Sequence, residues 1–196
     1  MKIPKEDIMK ATIKGAIGAI PIAGSFLSEY LGLAFDNVAE ARRNEWMDLV
    51  NDRLKKLEKL GHTMEELSKN EYFYTSIQLA TQGAMKAHQK EKREMFANAI
   101  YNGFFKTDTL GDKELFYFSL LDRYTLTHIE LLRCYSNAYY SNNIAERKKR
   151  IFNDFSNGIE KQLLSDGLLT TALFTIITKS GERFLNFIKT PEEETK

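Results

Sequence analysis

The feature that most constrains this chain is an apolar stretch at residues 11–35, rich in Gly, Ala, Ile and Leu. No charge falls between Lys14 and Glu29, a run of 14 residues. That run is shorter than the roughly 18 apolar residues with which a helix crosses a bilayer. The stretch is therefore either a hairpin buried at the centre of a bundle or a membrane-interacting segment stored inside one. The sequence leaves both alternatives open.

Small and bend-forming residues give this stretch the character of a hairpin. We expect a helix over residues 5–20 that breaks or kinks at Pro21, because the proline ring clashes with the preceding turn. Small residues on the helix surface allow close approach of a second helix, in soluble bundles as well as in membranes. The residues assigned to this membrane or partner hairpin are Gly15, Gly18, Pro21, Gly24, Phe26 and Leu27.

Amphipathic periodicity after the hairpin predicts a mainly α-helical bundle over residues 1–110. Trp46, Val50, Leu54 and Leu57 recur at helical spacing and predict a helix over residues 25–60. The mixed charges of that helix, Arg53 among them, are typical of a solvated face.

Cap signals divide the rest of this bundle. Thr63 and Glu66 have the spacing of a capping box and predict a helix over residues 63–69. Asn70 can cap a further helix over residues 71–87. The polar run at residues 88–94 is either the exposed part of one long helix or the site of a bend.

Residues 111–190 predict a small winged-helix-like part, followed by a tail at residues 191–196. The threonine-rich and isoleucine-rich segment 168–178 predicts a strand or β-hairpin. Before it we expect helices over 112–123, 125–139 and 142–165, with Thr125 capping the second. After it we expect a closing helix that Ser180 and Gly181 begin, with Phe184, Leu185 and Ile188 buried.

A basic cluster at the start of helix 142–165 is the candidate nucleic-acid contact, because a winged helix presents Lys and Arg to phosphates. Its members are Arg147, Lys148, Lys149 and Arg150. Consecutive residues wrap around a helix instead of lining one face, so a solvated turn is the alternative. The formal net charge of the whole chain is only +1, so nucleic-acid binding requires a local patch.

The sequence predicts no enzyme, no cofactor and no metal site. It has no phosphate-binding glycine loop, no nucleophile elbow and no His-Glu-x-x-His motif. His62, His88 and His128 are far apart in the sequence, and a metal site needs several converging ligands. The single cysteine, Cys134, excludes an intramolecular disulfide and lies beside leucines, so we expect a buried structural thiol in a reducing compartment.

Two pairs of segments carry a recognisable pattern. The first pair is EKREMFANAIYNGFF at 91–105 with LFYFSLLDRYTLTHIELLRCY at 115–135, and the second is LLSDGLL at 163–169 with FTIITKSGERFLNFI at 174–188. Both pairs resemble the abortive-infection Abi-alpha family of bacterial helical proteins. The resemblance covers about half the chain and implies a helical protein tied to phage defence, of a kind often without known catalysis. The chain departs from the family pattern near the start of the predicted 125–139 helix. An aspartate is expected there, and Thr127 and His128 stand in its place.

Three hypotheses for function follow from these patterns. The leading one is a non-enzymatic cytoplasmic protein of phage-defence or stress type that releases the 11–35 hairpin toward a protein partner or a membrane surface. The alternative is a winged-helix DNA-binding regulator. The third is a dimerising scaffold. Its candidate interface aromatics, which are more often core residues, are Trp46, Tyr72, Tyr74, Tyr139 and Tyr140.

Overall fold

The structure, a computed structural model, describes residues 37–106, 111–136, 154–171 and 175–191. Eight helices and one two-stranded hairpin form within these ranges, which confirms the predicted mainly α-helical class with a short β-hairpin near the carboxyl terminus. The described residues before Phe116 belong to one compact unit, and Phe116–Lys189 form the other. This boundary falls inside a helix, whereas the sequence analysis placed it in the preceding loop.

The first unit consists of α1 (Asn37–Lys59), α2 (Met64–Lys69), α3 (Glu71–Lys86) and α4 (Lys90–Lys106). The apolar stripe predicted for the long helix is its buried face, and residues 25–36 of that predicted helix lie outside the described residues. Trp46 on α1 is fully buried, and its Nε1 donates to Thr81 Oγ1 on α3 at 3.2 Å. Within residues 40–59 of α1, the other buried apolar residues are Val50, Leu54 and Leu57.

The predicted caps of α2 and α3 are confirmed. Thr63 Oγ1 accepts from the Glu66 N–H at 3.2 Å, and the Thr63 N–H donates to Glu66 Oε2 at 3.1 Å. Asn70 Oδ1 accepts from the backbone N–H groups of Tyr72 and Phe73, each at 3.0 Å. These side chains satisfy amide groups that a helix start otherwise leaves unpaired.

The polar run 88–94 contains a bend, because α3 ends at Lys86 and α4 begins at Lys90. Arg93 satisfies the end of α3: its Nη1 donates to Ala87 O and His88 O, each at 3.0 Å. Its Nη2 also forms an ion pair with Glu45 on α1. Arg93 is therefore buried, although it lies in the most polar run of the chain.

Arg53 corrects the prediction of a fully solvated charged face on α1. Its side chain is buried, and Nε donates to Asn98 Oδ1 on α4 at 2.9 Å. Arg53 also pairs with the neighbouring Asp52, which is exposed. The guanidinium group thus lies between the buried Asn98 amide and the surface. Its charge is paired there with the Asp52 carboxylate.

The second unit contains most of α5 (Asp112–Arg123), and then α6 (Leu126–Tyr135), α7 (Asp154–Ser165), the β-hairpin and α8 (Lys179–Ile188). Strands β1 (Leu169–Thr171) and β2 (Thr175–Ile177) are antiparallel, with Leu169 opposite Ile177 and Thr170 opposite Ile176. The bounds predicted for α5 are confirmed, and so is the hairpin. The described part of the second predicted helix ends at Tyr135, with Ser136 as its carboxyl-terminal cap.

Thr178 caps the start of α8 and fixes the base of the β-hairpin. Its Oγ1 donates to Gly167 O at 2.7 Å and accepts from the Gly181 N–H at 3.0 Å. Its own N–H donates to Leu168 O at 2.9 Å. The helix therefore starts one residue before the predicted Ser180, because Thr178 and not Ser180 supplies the cap.

The buried face of α8 differs from the prediction by one residue. Phe184 and Ile188 are buried as expected, whereas Leu185 is only half-buried and Phe187 takes its place in the core. Residues 184, 187 and 188 share one helix face, and residue 185 lies about 100° away from residue 184. Phe187 contacts the ring of Phe118 at a centroid distance of 5.0 Å.

Candidate nucleic-acid interface

Both site predictions made from the sequence fall on residues that the structure does not describe. The hairpin residues Gly15, Gly18, Pro21, Gly24, Phe26 and Leu27 lie outside the described ranges, and so do Arg147, Lys148, Lys149 and Arg150. Both therefore stay predictions, and the candidate interface below is built from other residues of the second unit.

Three acidic residues of the second unit are held by hydroxyl groups of the same unit. Tyr124 donates to Asp166 Oδ2 at 2.7 Å, and Tyr135 donates to Glu160 Oε1 at 2.9 Å. Ser136 Oγ donates to the two carboxylate oxygens of Glu182 at 2.9 Å and 3.0 Å. Such bonds to a charged acceptor are stronger than those between neutral groups. These three negative charges are thus stabilised within the unit.

Three cationic residues of the same unit are exposed and have no hydrogen bond or ion pair with any described residue. Lys179 and Arg183 lie one helical turn apart on α8, so their side chains share a face. Lys161 is exposed on α7. Residues 116–189 contain ten Lys and Arg against seven Asp and Glu, so this part of the chain has a formal charge of +3. The remainder of the chain has a formal charge of −2.

Sequence reasoning missed these three cations because they do not form a run. The only local signal is the four-residue spacing of Lys179 and Arg183 on a helix whose opposite face is apolar. These cations can bind an external anion only if the acidic residues beside them are bonded elsewhere. The hydroxyl groups that bind those acids are distant in the sequence.

His128 connects the start of α6 to α7. Its Nδ1 accepts from the Thr125 N–H at 3.2 Å and lies 2.8 Å from Thr125 Oγ1. Its Nε2 lies 3.1 Å from Gln162 Oε1 on α7. The ring is 6% exposed and stacks on Tyr124 at a centroid distance of 5.0 Å and an interplanar angle of 9°. The sequence analysis named His128 only in arguing against a metal site and as a departure from the family pattern, and it gave no sign of this bridge.

Tyr124 lies next to this histidine and is fully buried. Burial, followed by the hydrogen bond to Asp166, raises the pKa of Tyr124 far above its usual value. The phenol is therefore a neutral donor at any physiological pH. Asp166 also accepts from Arg123 Nη2 at 3.1 Å, so the carboxylate has a cationic partner as well as a phenol.

The described residues contain no group of three or more His, Cys, Asp and Glu side chains that could hold a metal ion. Cys134 is buried, as the sequence predicts. Among the proposed interface aromatics, Trp46 belongs to the core and Tyr74 is 37% exposed, while residues 139 and 140 lie outside the described ranges. No helix in the described ranges is long and apolar enough to cross a membrane.

No family model matches this chain, and no curated protein and no solved structure matches it either.

Proposed function

We propose that this chain is a non-catalytic binding protein whose 116–189 unit is a winged-helix-like module for duplex nucleic acid. One observation carries the proposal: three acids of the unit are engaged internally, while three exposed cations have no partner among the described residues. Phosphate groups are the partners that exposed Lys and Arg select in nucleic acids.

The order of elements supports the winged-helix-like assignment. Among the residues that the structure describes, α5 and α6 precede α7, a two-stranded β-hairpin follows it within four residues, and α8 comes last. In such modules a helix enters the groove of the duplex while the hairpin lies beside it. The Thr178 hydrogen bonds at the base of the hairpin hold it next to the end of α7. A local formal charge of +3 is modest, so we expect binding at low ionic strength that salt weakens.

The test is duplex binding by the full-length chain across a series of salt concentrations. We expect Lys179→Gln with Arg183→Gln to weaken binding and to reduce the slope of log K against log salt by up to about 2, because about 0.9 of slope is lost per phosphate contact. Lys148→Glu with Lys149→Glu tests the basic cluster predicted from the sequence in the same way. It should also weaken binding.

A matched control comes from the first unit. Lys55 and Lys59 on α1 are also exposed, four residues apart and without a partner among the described residues. Lys55→Gln with Lys59→Gln removes the same charge and should leave binding unchanged. The proposal is overturned if the wild-type chain does not bind duplex DNA at low salt, or if the control pair weakens binding as much as the α8 pair.

A second candidate function rests on the charge-free run of residues 15–28. In this proposal the chain is a protein of phage-defence or stress type that releases the 11–35 hairpin to a membrane or a protein partner. Exposing each large apolar side chain of the hairpin costs about 1.5–3 kcal/mol, so release requires a trigger. Liposome flotation should depend on residues 11–35. Equal flotation after their deletion would exclude the membrane mechanism.

A further inference from the structure

Two side-chain hydrogen bonds connect the end of α7 to the segment that links α5 to α6 and to the first turn of α6. His128 bonds to Gln162, and Tyr124 bonds to Asp166. Gln162 and Asp166 are four residues apart, and the Asp166 N–H donates to Gln162 O at 2.9 Å, so the helical turn continues between them. The two contacts therefore lie one above the other on a single face of α7. We call this pair of bonds the junction clasp.

The hydrogen-bond directions in the clasp follow from the position of Thr125. Because the Thr125 N–H donates to His128 Nδ1, that nitrogen carries no proton, and the proton of the neutral ring is on Nε2. Nε2–H then donates to Gln162 Oε1. One imidazole thus completes the amino-terminal cap of α6 and holds α7 at the same time. The stack of the ring on Tyr124 links the two bonds of the clasp.

We infer that His128 and Gln162 are positioning residues for nucleic-acid binding, because they fix the rotation of α7. This inference rests on the proposed function. Lys161 adjoins Gln162 on α7, so a rotation that breaks the clasp also moves an exposed cation. Without the clasp, the binding-competent orientation becomes a smaller fraction of the population. A smaller competent fraction weakens apparent affinity without changing the number of phosphate contacts.

The variants are chosen to break the His128–Gln162 bond of the clasp and leave the fold. His128→Gln keeps an acceptor three residues after Thr125, as in an ordinary capping box, but cannot reproduce the imidazole bridge. Gln162→Met keeps the length of the side chain and removes its acceptor. We expect each to weaken duplex binding by about two- to tenfold, the equivalent of one hydrogen bond. The affinity of the double variant for the duplex should equal that of the single variant that binds less tightly, because both changes break the same bond.

Two further readouts separate positioning from contact and from misfolding. The salt slope of both variants should equal that of the wild-type chain, whereas Lys161→Gln should reduce it by about 0.9. Amide hydrogen exchange in α7 should be faster in both variants while that in α3 and α4 is unchanged.

Unchanged affinity in folded variants overturns the inference, and so does a reduced salt slope. Unchanged exchange in α7 refutes the role of the His128–Gln162 bond in holding this helix. If the wild-type chain binds no duplex, the proposed function and the positioning role fall together, and the exchange measurement still decides separately whether the clasp holds α7.

Discussion

The ring of Phe96 lies against the backbone of Gly83, so that a Cβ atom built on this glycine would come within 2.1 Å of Phe96 Cζ. Phe96 is fully buried on α4, so its ring is packed against other atoms on all sides. Gly83→Ala should therefore destabilise the first unit by about 1–3 kcal/mol through overpacking. Urea unfolding measures this loss.

The control for that substitution is Gly158→Ala on α7. Gly158 is exposed, and a Cβ atom there would meet nothing within 4 Å. Alanine in a helix is favoured over glycine, so this change should stabilise by up to about 1 kcal/mol. A Gly83→Ala variant as stable as Gly158→Ala would contradict the close approach of α3 and α4.

The ion pair between Arg93 and Glu45 predicts that removing the carboxylate lowers the free energy of unfolding strongly. Glu45→Ala should cost about 3–5 kcal/mol, because it leaves the buried Arg93 guanidinium without its carboxylate. Since Glu45 is itself 29% exposed, water replaces part of the loss, and we expect the lower end of that range. Chemical unfolding at several salt concentrations tests the value.

An exposed pair on the same helix provides the comparison. Arg43 and Glu40 lie 4.0 Å apart with 41% and 62% of their side chains exposed. Glu40→Ala should change the stability by less than about 1 kcal/mol. Equal costs for the Glu45 and Glu40 substitutions would mean that the Arg93 pair is solvated.

The capping box of α2 predicts that part of the stability of the folded state is lost at acidic pH. The hydrogen bond from the Thr63 backbone lowers the pKa of Glu66 below its usual value. A carboxyl group whose pKa is lowered by folding stabilises the folded state above its unfolded pKa and loses this contribution as the pH falls through the lowered value. Glu66→Gln keeps the acceptor without titrating. The melting temperatures of wild type and variant, compared between neutral and acidic pH, should therefore converge as the pH falls. A constant difference would contradict the shift.

Tyr124 predicts the corresponding effect at alkaline pH. Burial raises the pKa of Tyr124, so its phenol stays neutral in the folded state while the unfolded chain ionises at about pH 10. Its contribution to stability is present below that unfolded value and is lost as the pH rises above it. The urea midpoint of Tyr124→Phe should fall less steeply than that of the wild type at alkaline pH. Equal slopes for Tyr124→Phe and the wild type would contradict the burial of this phenol.

The base of the hairpin predicts sensitivity at Thr178 and Gly181. Thr178→Val removes the hydroxyl bonds to Gly167 O and to the Gly181 N–H, and should cost about 1–2 kcal/mol. Gly181→Ala should cost about 1–3 kcal/mol, because its Cβ would lie 2.4 Å from the backbone oxygen of Leu168. Thermal unfolding followed by far-ultraviolet circular dichroism checks both. Thr170→Val, on an exposed strand position, should be within about 0.5 kcal/mol of wild type.

Local signals account for the parts of the fold that the sequence predicted well. The Thr63 and Asn70 caps act over two or three residues, and the threonine-rich hairpin contains its own pairing partners. The burial of Arg53 and Arg93 was not predictable in this way. Their partners Asn98 and Glu45 are 45 and 48 residues away, and only the packing of α1 on α4 brings them together.

The candidate site depended even more on distant contacts. Lys148 and Lys149 attracted attention because consecutive charges are visible in a sequence. The availability of Arg183 depends instead on its neighbour Glu182 being occupied by Ser136, which is 46 residues away. Charge counting along the chain cannot distinguish an engaged carboxylate from a free one, so the sequence pointed to a different cationic cluster.

The burial of Trp46 has a practical consequence for all of these measurements. It is the only tryptophan of the chain, and it lies in the core of the first unit with its indole N–H bonded to Thr81. Intrinsic tryptophan fluorescence therefore reports on that unit alone, whereas circular dichroism averages over both. If the two signals give different denaturation midpoints, the chain melts in two separate steps, and a single free energy of unfolding no longer describes it.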